Sequence, residues 1–202
     1  AVISGTNGPT NFSTYALGLT STIVFNGTGI QYVNFGGLDF GNVIFRNGGA
    51  NPKLLVSEAT VLGNLTIESG ATLDADSWPI TLDGNWTNDG SFVCGTSVLH
   101  LTGISKMLSG ATTFHQGTVT GSYYANDDLT FSDRLEIAPG GSLSAGTGNV
   151  LTLNGDLLNA GSMSSDGTVI LTGNQLQTLS LINATNYALY VEFNGSVPPT
   201  LN

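Results

Sequence analysis

Short stretches of alternating apolar and polar residues run through the chain and are broken by Gly, Asn-Gly or Asp-Gly. Leu65 and Ile67, then Leu73, then Ile80 and Leu82, then Trp86, then Phe92 are apolar positions set among Thr, Ser, Asn and Asp. A period of two marks a strand with one face turned inward. No stretch of about a dozen residues carries apolar positions at helical spacing. Ala and Leu are nowhere combined with Glu and Lys into a helix-forming run. Thr, Val, Ile and the aromatics favour strands. The pattern predicts an all-β chain of short strands joined by tight turns.

The text also repeats. Ile80-Thr-Leu82-Asp-Gly84-Asn-Trp86-Thr-Asn88-Asp-Gly90-Ser-Phe92 returns as Leu151-Thr-Leu153-Asn-Gly155-Asp-Leu157-Leu-Asn159-Ala-Gly161-Ser-Met163. Upstream, Leu65-Thr-Ile67-Glu-Ser-Gly70 returns as Leu135-Glu-Ile137-Ala-Pro-Gly140. Downstream, Val98-Leu-His-Leu101-Thr-Gly103 returns as Thr168-Val-Ile-Leu171-Thr-Gly173, with an earlier copy at Thr22-Ile-Val-Phe25-Asn-Gly27. Glutamine follows the first and third of these, at Gln31 and Gln175. The unit is about 70 to 76 residues long, present nearly twice, with a partial third copy. Trp86 aligns with Leu157, which predicts an inward position for both.

A hairpin-built sandwich or barrel has no reason to repeat Gly-x-Asn-x-Gly text. A solenoid does, because each coil rests on the one before and the same corner must accept the same turn residue. The expected fold is a single-stranded parallel β-helix, or β-solenoid, of about eight or nine coils, at roughly 20 to 25 residues each. Gly84 and Gly155 are then expected at equivalent corners three coils apart, with Leu82 and Leu153 both inward. Stacked Asn side chains are expected to hydrogen-bond up the ladder. Residues 20–202 form the solenoid, and residues 1–19 a separate N-terminal strand segment, serving as a cap or an inter-subunit connector.

Gly63-Asn-Leu65-Thr-Ile67-Glu-Ser-Gly70-Ala-Thr-Leu73 and Leu82-Asp-Gly84-Asn-Trp86-Thr-Asn88-Asp-Gly90-Ser-Phe92 resemble the repeats of secreted bacterial right-handed β-helix proteins, of the adhesin-like and autotransporter-like surface type. The resemblance covers roughly residues 20 to 195. It implies an extracellular, right-handed parallel β-helix. It implies no one activity, because that fold hosts lyases, adhesins and structural fibres alike.

Charge narrows the partners. Lys plus Arg total 4 and Asp plus Glu total 14, for a net charge of -10. Phosphate neutralisation needs many more cations, which argues against nucleic acid. The same balance argues against an anionic membrane surface, and no apolar run approaches the roughly 20 residues of a span. The single cysteine, Cys94, can form no internal disulfide or four-cysteine zinc site and is expected to be a small buried hydrophobe. The chain opens at Ala1 without a charged, then apolar, leader, as expected of a secreted chain after signal-peptide removal.

Residues able to do chemistry are few. Asp74 and Asp76 lie two apart, the spacing of paired carboxylates on a strand, but Leu73-Asp-Ala-Asp-Ser reads as a solvated turn. Asn126-Asp127-Asp128 lacks the Gly-His-Gly and Arg-x-Lys elements of β-helical pectin hydrolases and any Asp-x-Asp-x-Asp-Gly calcium loop. His100 and His115 stand apart, with no metal spacing. The sequence therefore predicts no catalytic residue, no metal and no cofactor, and the chain is read as a non-enzyme. Trp78, Tyr123 and Tyr124 are the candidates for stacking on sugar rings.

The ends carry the functional reading. A solenoid exposes an unpaired rung at each end. The text shows neither a capping helix nor a charged cap. Val2, Ile3, Phe12, Tyr15, Leu17 and Leu19 at one end, and Leu189, Val191 and Phe193 at the other, are the residues expected to meet in a head-to-tail homopolymer. The expected function is that of an extracellular structural subunit of a filament. The alternative is an adhesin or carbohydrate-binding module that meets surface glycans.

Overall fold

A computed structural model describes residues 1–6, 18–47, 51–181, 185–187 and 190–201, with the backbone alone at 165, 185–187, 190, 191 and 201. The described strands pair in parallel, none of the described residues is helical, and the strands stack as a β-solenoid of about eight turns. The chain divides into two compact units, residues 1–97 and 98–202.

The first unit is three-sided. One side stacks Val2–Ile3, Thr22–Phe25, Asn42–Phe45, Leu65–Ile67 and Trp86–Asn88. A second stacks Gln31–Val33, Lys53–Leu55, Thr72–Asp74 and Ser91–Val93. The third stacks Asp39–Phe40, Ala59–Val61 and Ile80–Leu82. Parallel strands need a long crossover, and here each crossover is the remainder of the turn. Alternation puts every second side chain inside, so the register builds vertical apolar columns. Ile23, Val43, Leu65 and Trp86 form one, and Phe25, Phe45 and Ile67 another. The rings of Phe25 and Phe45 stack at 5.4 Å. Each fully buried side chain of this size contributes about 1.5–3 kcal/mol.

The second unit is built the same way. One side stacks Lys106–Ser109, Ser122–Ala125, Ser142–Ala145, Ser162–Ser165 and Thr185–Tyr187. Two long strands, Thr112–Val119 and Leu129–Ile137, each span two sides, and their pairing shifts between Phe114 and Gln116. Such a bulge bends a strand. Val150–Leu153, Thr168–Leu171 and Tyr190–Phe193 continue residues 129–131. Asp156–Asn159, Thr178–Ser180 and Thr200–Leu201 continue residues 134–137. Leu153 and Leu157 are inside, as Leu82 and Trp86 are in the first unit.

The corners explain the glycines. A Cβ on Gly84 would fall 1.9 Å from the Gly63 carbonyl oxygen, and one on Gly155 would fall 1.5 Å from that of Asp133. Both glycines therefore sit at corners where a side chain would strike the backbone of the turn below. The contacted residues lie 21 and 22 residues earlier, whereas 71 residues separate Gly84 from Gly155. The repeat is thus not three whole turns, which corrects the three-coil spacing.

Side-chain oxygens tie successive turns. Asn42 Oδ1 accepts from the Asn64 N–H at 2.9 Å, and Asn64 Oδ1 accepts from the Asn85 N–H at 2.9 Å. Asp128 Oδ1 accepts from the Val150 N–H, and Asp156 Oδ1 from the Thr178 N–H, both at 2.7 Å. The expected asparagine ladder exists, but it runs through Asn42, Asn64 and Asn85. Asn88 and Asn159, the repeated pair, are buried inside.

Candidate assembly edges and aromatic positions

Residues 1–6 lie along the first turn as a rung of their own. The Ala1 ammonium donates to Thr22 O at 2.7 Å, and Ala1 O, Ile3 O and Thr6 O accept from the N–H groups of Val24, Asn26 and Tyr32, each at 2.8 Å. In a parallel pair alternate residues face opposite neighbours. Ala1 and Ile3 face the Thr22–Phe25 strand, which leaves the N–H and C=O of Val2 on the outer edge. Val2 is also 63% exposed.

A buried glutamine clamps this rung. Gln31 Oε1 accepts from the Gly27 N–H at 2.8 Å, while Nε2 donates to Ile3 O at 3.0 Å and Gly5 O at 2.6 Å. In the second unit Gln177 repeats the arrangement. It accepts from the Gly173 N–H at 2.9 Å and donates to Leu153 O at 2.9 Å and Gly155 O at 2.6 Å. The counterpart of Gln31 is therefore Gln177, four residues past its corner glycine, and not Gln175, which is exposed.

At the other end of the chain, Tyr190–Phe193 pairs with Thr168–Leu171, and the Asn194 N–H donates to Leu171 O at 2.7 Å. By the same alternation, Val191 and Phe193 turn their N–H and C=O to the outer edge. Phe193 is 40% exposed. Of the other expected assembly residues, Ile3 is half-buried and Leu19 is exposed. Phe12, Tyr15, Leu17 and Leu189 lie outside the described residues.

The aromatic candidates separate. Trp78 sits in the turn closed by its N–H to Ala75 O and is 38% exposed. Tyr124 points outward and is 41% exposed. Tyr123 points inward at 2% exposure, and its hydroxyl oxygen accepts from the Gly103 N–H. Neighbours on a strand face opposite ways, so Tyr123 is corrected from a stacking surface to a core residue.

Comparison with protein-family models, with curated proteins and with solved structures found no match.

The carboxylates act as structure. Asp74 Oδ1 accepts from the Asp76 N–H at 3.0 Å, and Asp76 has φ of 49°. That is the turn expected of Leu73-Asp-Ala-Asp-Ser. Asp127 Oδ2 accepts from the Gly110 N–H at 2.7 Å. Among the described residues no three His, Cys, Asp or Glu side chains group as metal ligands. Cys94 is half-buried, where a fully buried residue was expected, and burial raises its thiol pKa, which favours the protonated form.

One cation lies in the core. Lys53 shares the inward column with Gln31 and is fully buried, and its Nζ donates to Gly27 O. Burial lowers its pKa from 10.5. Between that lowered value and 10.5 the unfolded chain binds more protons than the folded one, so this group makes stability rise with pH across that window. Urea midpoints measured from neutral pH to the Lys range should therefore climb more steeply for the native protein than for Lys53→Met. Parallel curves would exclude this source of pH dependence.

Proposed function

We propose that this chain is a structural subunit, secreted to the cell surface or beyond, that adds copies of itself head to tail into a filament. The observation that carries the reading is that strands near both chain ends are one-sided, Val2–Ile3 at one and Thr185–Tyr187, Tyr190–Phe193 and Thr200–Leu201 at the other. Val2–Ile3 pairs only with Thr22–Phe25, and Tyr190–Phe193 only with Thr168–Leu171, among the described residues. Each open edge is a row of backbone donors and acceptors. Two different edges meeting make a heterologous contact, which propagates unless it closes into a ring. Exposed Val2, Leu19 and Phe193 add apolar surface to those edges. Lysine, a common edge blocker, is scarce. The net charge of -10 opposes association, and salt screens it beyond about 8–10 Å.

Val2→Pro tests the edge directly. It removes the one N–H that points outward from the first strand and leaves the Ala1 and Ile3 bonds in place. Electron microscopy and sedimentation at moderate salt should show filaments for the native chain. The variant, with an unchanged circular dichroism spectrum, should give monomers or short oligomers. A native chain that stays monodisperse at high concentration, or a variant that polymerises equally well, overturns the proposal.

A further inference from the structure

The second unit carries a built groove on its serine-rich side. Ser105, Lys106, Met107, Ser122, Tyr123, Tyr124 and Ser144 line a shallow cavity of about 260 Å³. The register sets Met107, Tyr124, Ser144 and Ser164 in one outward column and Ser122, Ser142 and Ser162 beside it. The strands that carry these hydroxyls are stacked at about 4.8 Å. Ser144 Oγ and Ser164 Oγ are 2.9 Å apart.

Tyr124 does not stand away from this wall. A Cβ on Gly146 would fall 2.4 Å from the Tyr124 hydroxyl and 3.0 Å from its Cζ, so the ring reaches across to Gly146 in the next turn. A glycine there makes the seat for the ring. The 41% of the residue still exposed leaves an aromatic surface open above the serine rows.

Charge selects further. Of the four cations, Arg46 pairs with Glu68, Arg134 pairs with Glu136, and Lys53 is in the core. Lys106, at the groove, has no carboxylate within salt-bridge distance among the described residues, and no carboxylate lines the groove. Lys106 is half-buried and in register with the inward Tyr123, and among the described residues it is the one Lys or Arg neither ion-paired nor in the core.

We infer that this groove binds an acidic oligosaccharide. One sugar ring stacks by its C–H face on Tyr124, its carboxylate or sulfate meets Lys106, and its hydroxyls bond to the serine rows. A peptide strand would need a free backbone edge, and Ser122–Ala125 and Ser142–Ala145 are already paired on both sides. The cavity is just under the roughly 300 Å³ of the smallest drug-sized pockets, which suits one ring, and the serine rows extend the contact to the next.

Calorimetry with the full chain would use oligogalacturonate as the acidic probe and an uncharged β-glucan oligomer of equal length as the control. The native chain should bind the acidic probe at least tenfold more tightly than the neutral one. Tyr124→Ala should weaken it at least tenfold, Tyr124→Phe should retain it, and Lys106→Gln should bring the acidic probe to the neutral level. Gly146→Ala should weaken both probes by displacing the ring. All four substitutions should leave the circular dichroism spectrum and filament growth unchanged, which separates this site from the assembly edges. No binding by the native chain, equal affinity for both probes, or full affinity in Tyr124→Ala overturns the inference.

Discussion

Truncating Trp86 to alanine is expected to cost about 3–5 kcal/mol of unfolding free energy. The indole is fully buried at the end of the Ile23–Val43–Leu65 column and meets Phe92 edge to face at 4.9 Å. Below it the column is set by strands locked in register, so the wall there has little freedom to collapse into the void. The aliphatic equivalents should fall slightly lower. Leu82→Ala and Leu153→Ala, both at fully buried positions, should each cost about 2–5 kcal/mol. Urea unfolding followed by circular dichroism measures all three. A neutral result at either leucine would mean that the inward and outward faces of that copy are exchanged, since a slip of one residue inverts every side chain.

The second large effect is expected at the glutamine clamps. Gln177→Leu keeps the volume roughly constant but strands the Gly173 N–H and the Gly155 carbonyl, while Leu153 O keeps its bond from the Thr172 N–H. At about 1–3 kcal/mol for each buried group left unpaired, and with some relaxation, the loss should reach about 2–4 kcal/mol. Gln31→Leu strands the Gly27 N–H and the Gly5 carbonyl, while Ile3 O keeps its bond from the Asn26 N–H. Its signature should be local. Amide exchange at Asn26 and Tyr32, whose N–H groups hold the first rung, should quicken well before global unfolding. Unchanged exchange at those two amides would show that the rung does not depend on the clamp.

The glutamines also show what the sequence could and could not tell. Alternation and repetition were enough to give parallel rungs, an inward Trp86 and Leu157, and inward Leu82 and Leu153. They were not enough to fix phase. Gln175 and Gln177 stand two apart, and only the distance from the corner glycine, four residues in both units, picks the one that clamps. Tyr123 and Tyr124 present the same ambiguity. Both are aromatic, and the in–out order follows from Ala125, which shares the inner face with Tyr123. Lys53 was legible in principle, because it stands two before the inward Leu55, but chemistry argued against a cation there. The groove beneath Tyr124 was not legible at all. The ring's neighbour across the turn is Gly146, 22 residues on, and only the length of a turn brings the two together.

The asparagine column at Asn42, Asn64 and Asn85 has a consequence for chemical ageing. Hydrolysis of an amide there would leave an oxygen acceptor in place, so each bond to the next rung could survive. The carboxylates formed would stand one strand spacing apart, however, and two like charges at about that distance repel by roughly 1 kcal/mol even in water. Successive deamidations would thus load one corner of the wall with charge while its hydrogen bonds persisted. Apart from the bond that Asn42 Nδ2 donates to Ser21 O at 3.3 Å, the amides keep this corner neutral, and a slow chemical clock would act first on the wall's electrostatics and only later on its shape.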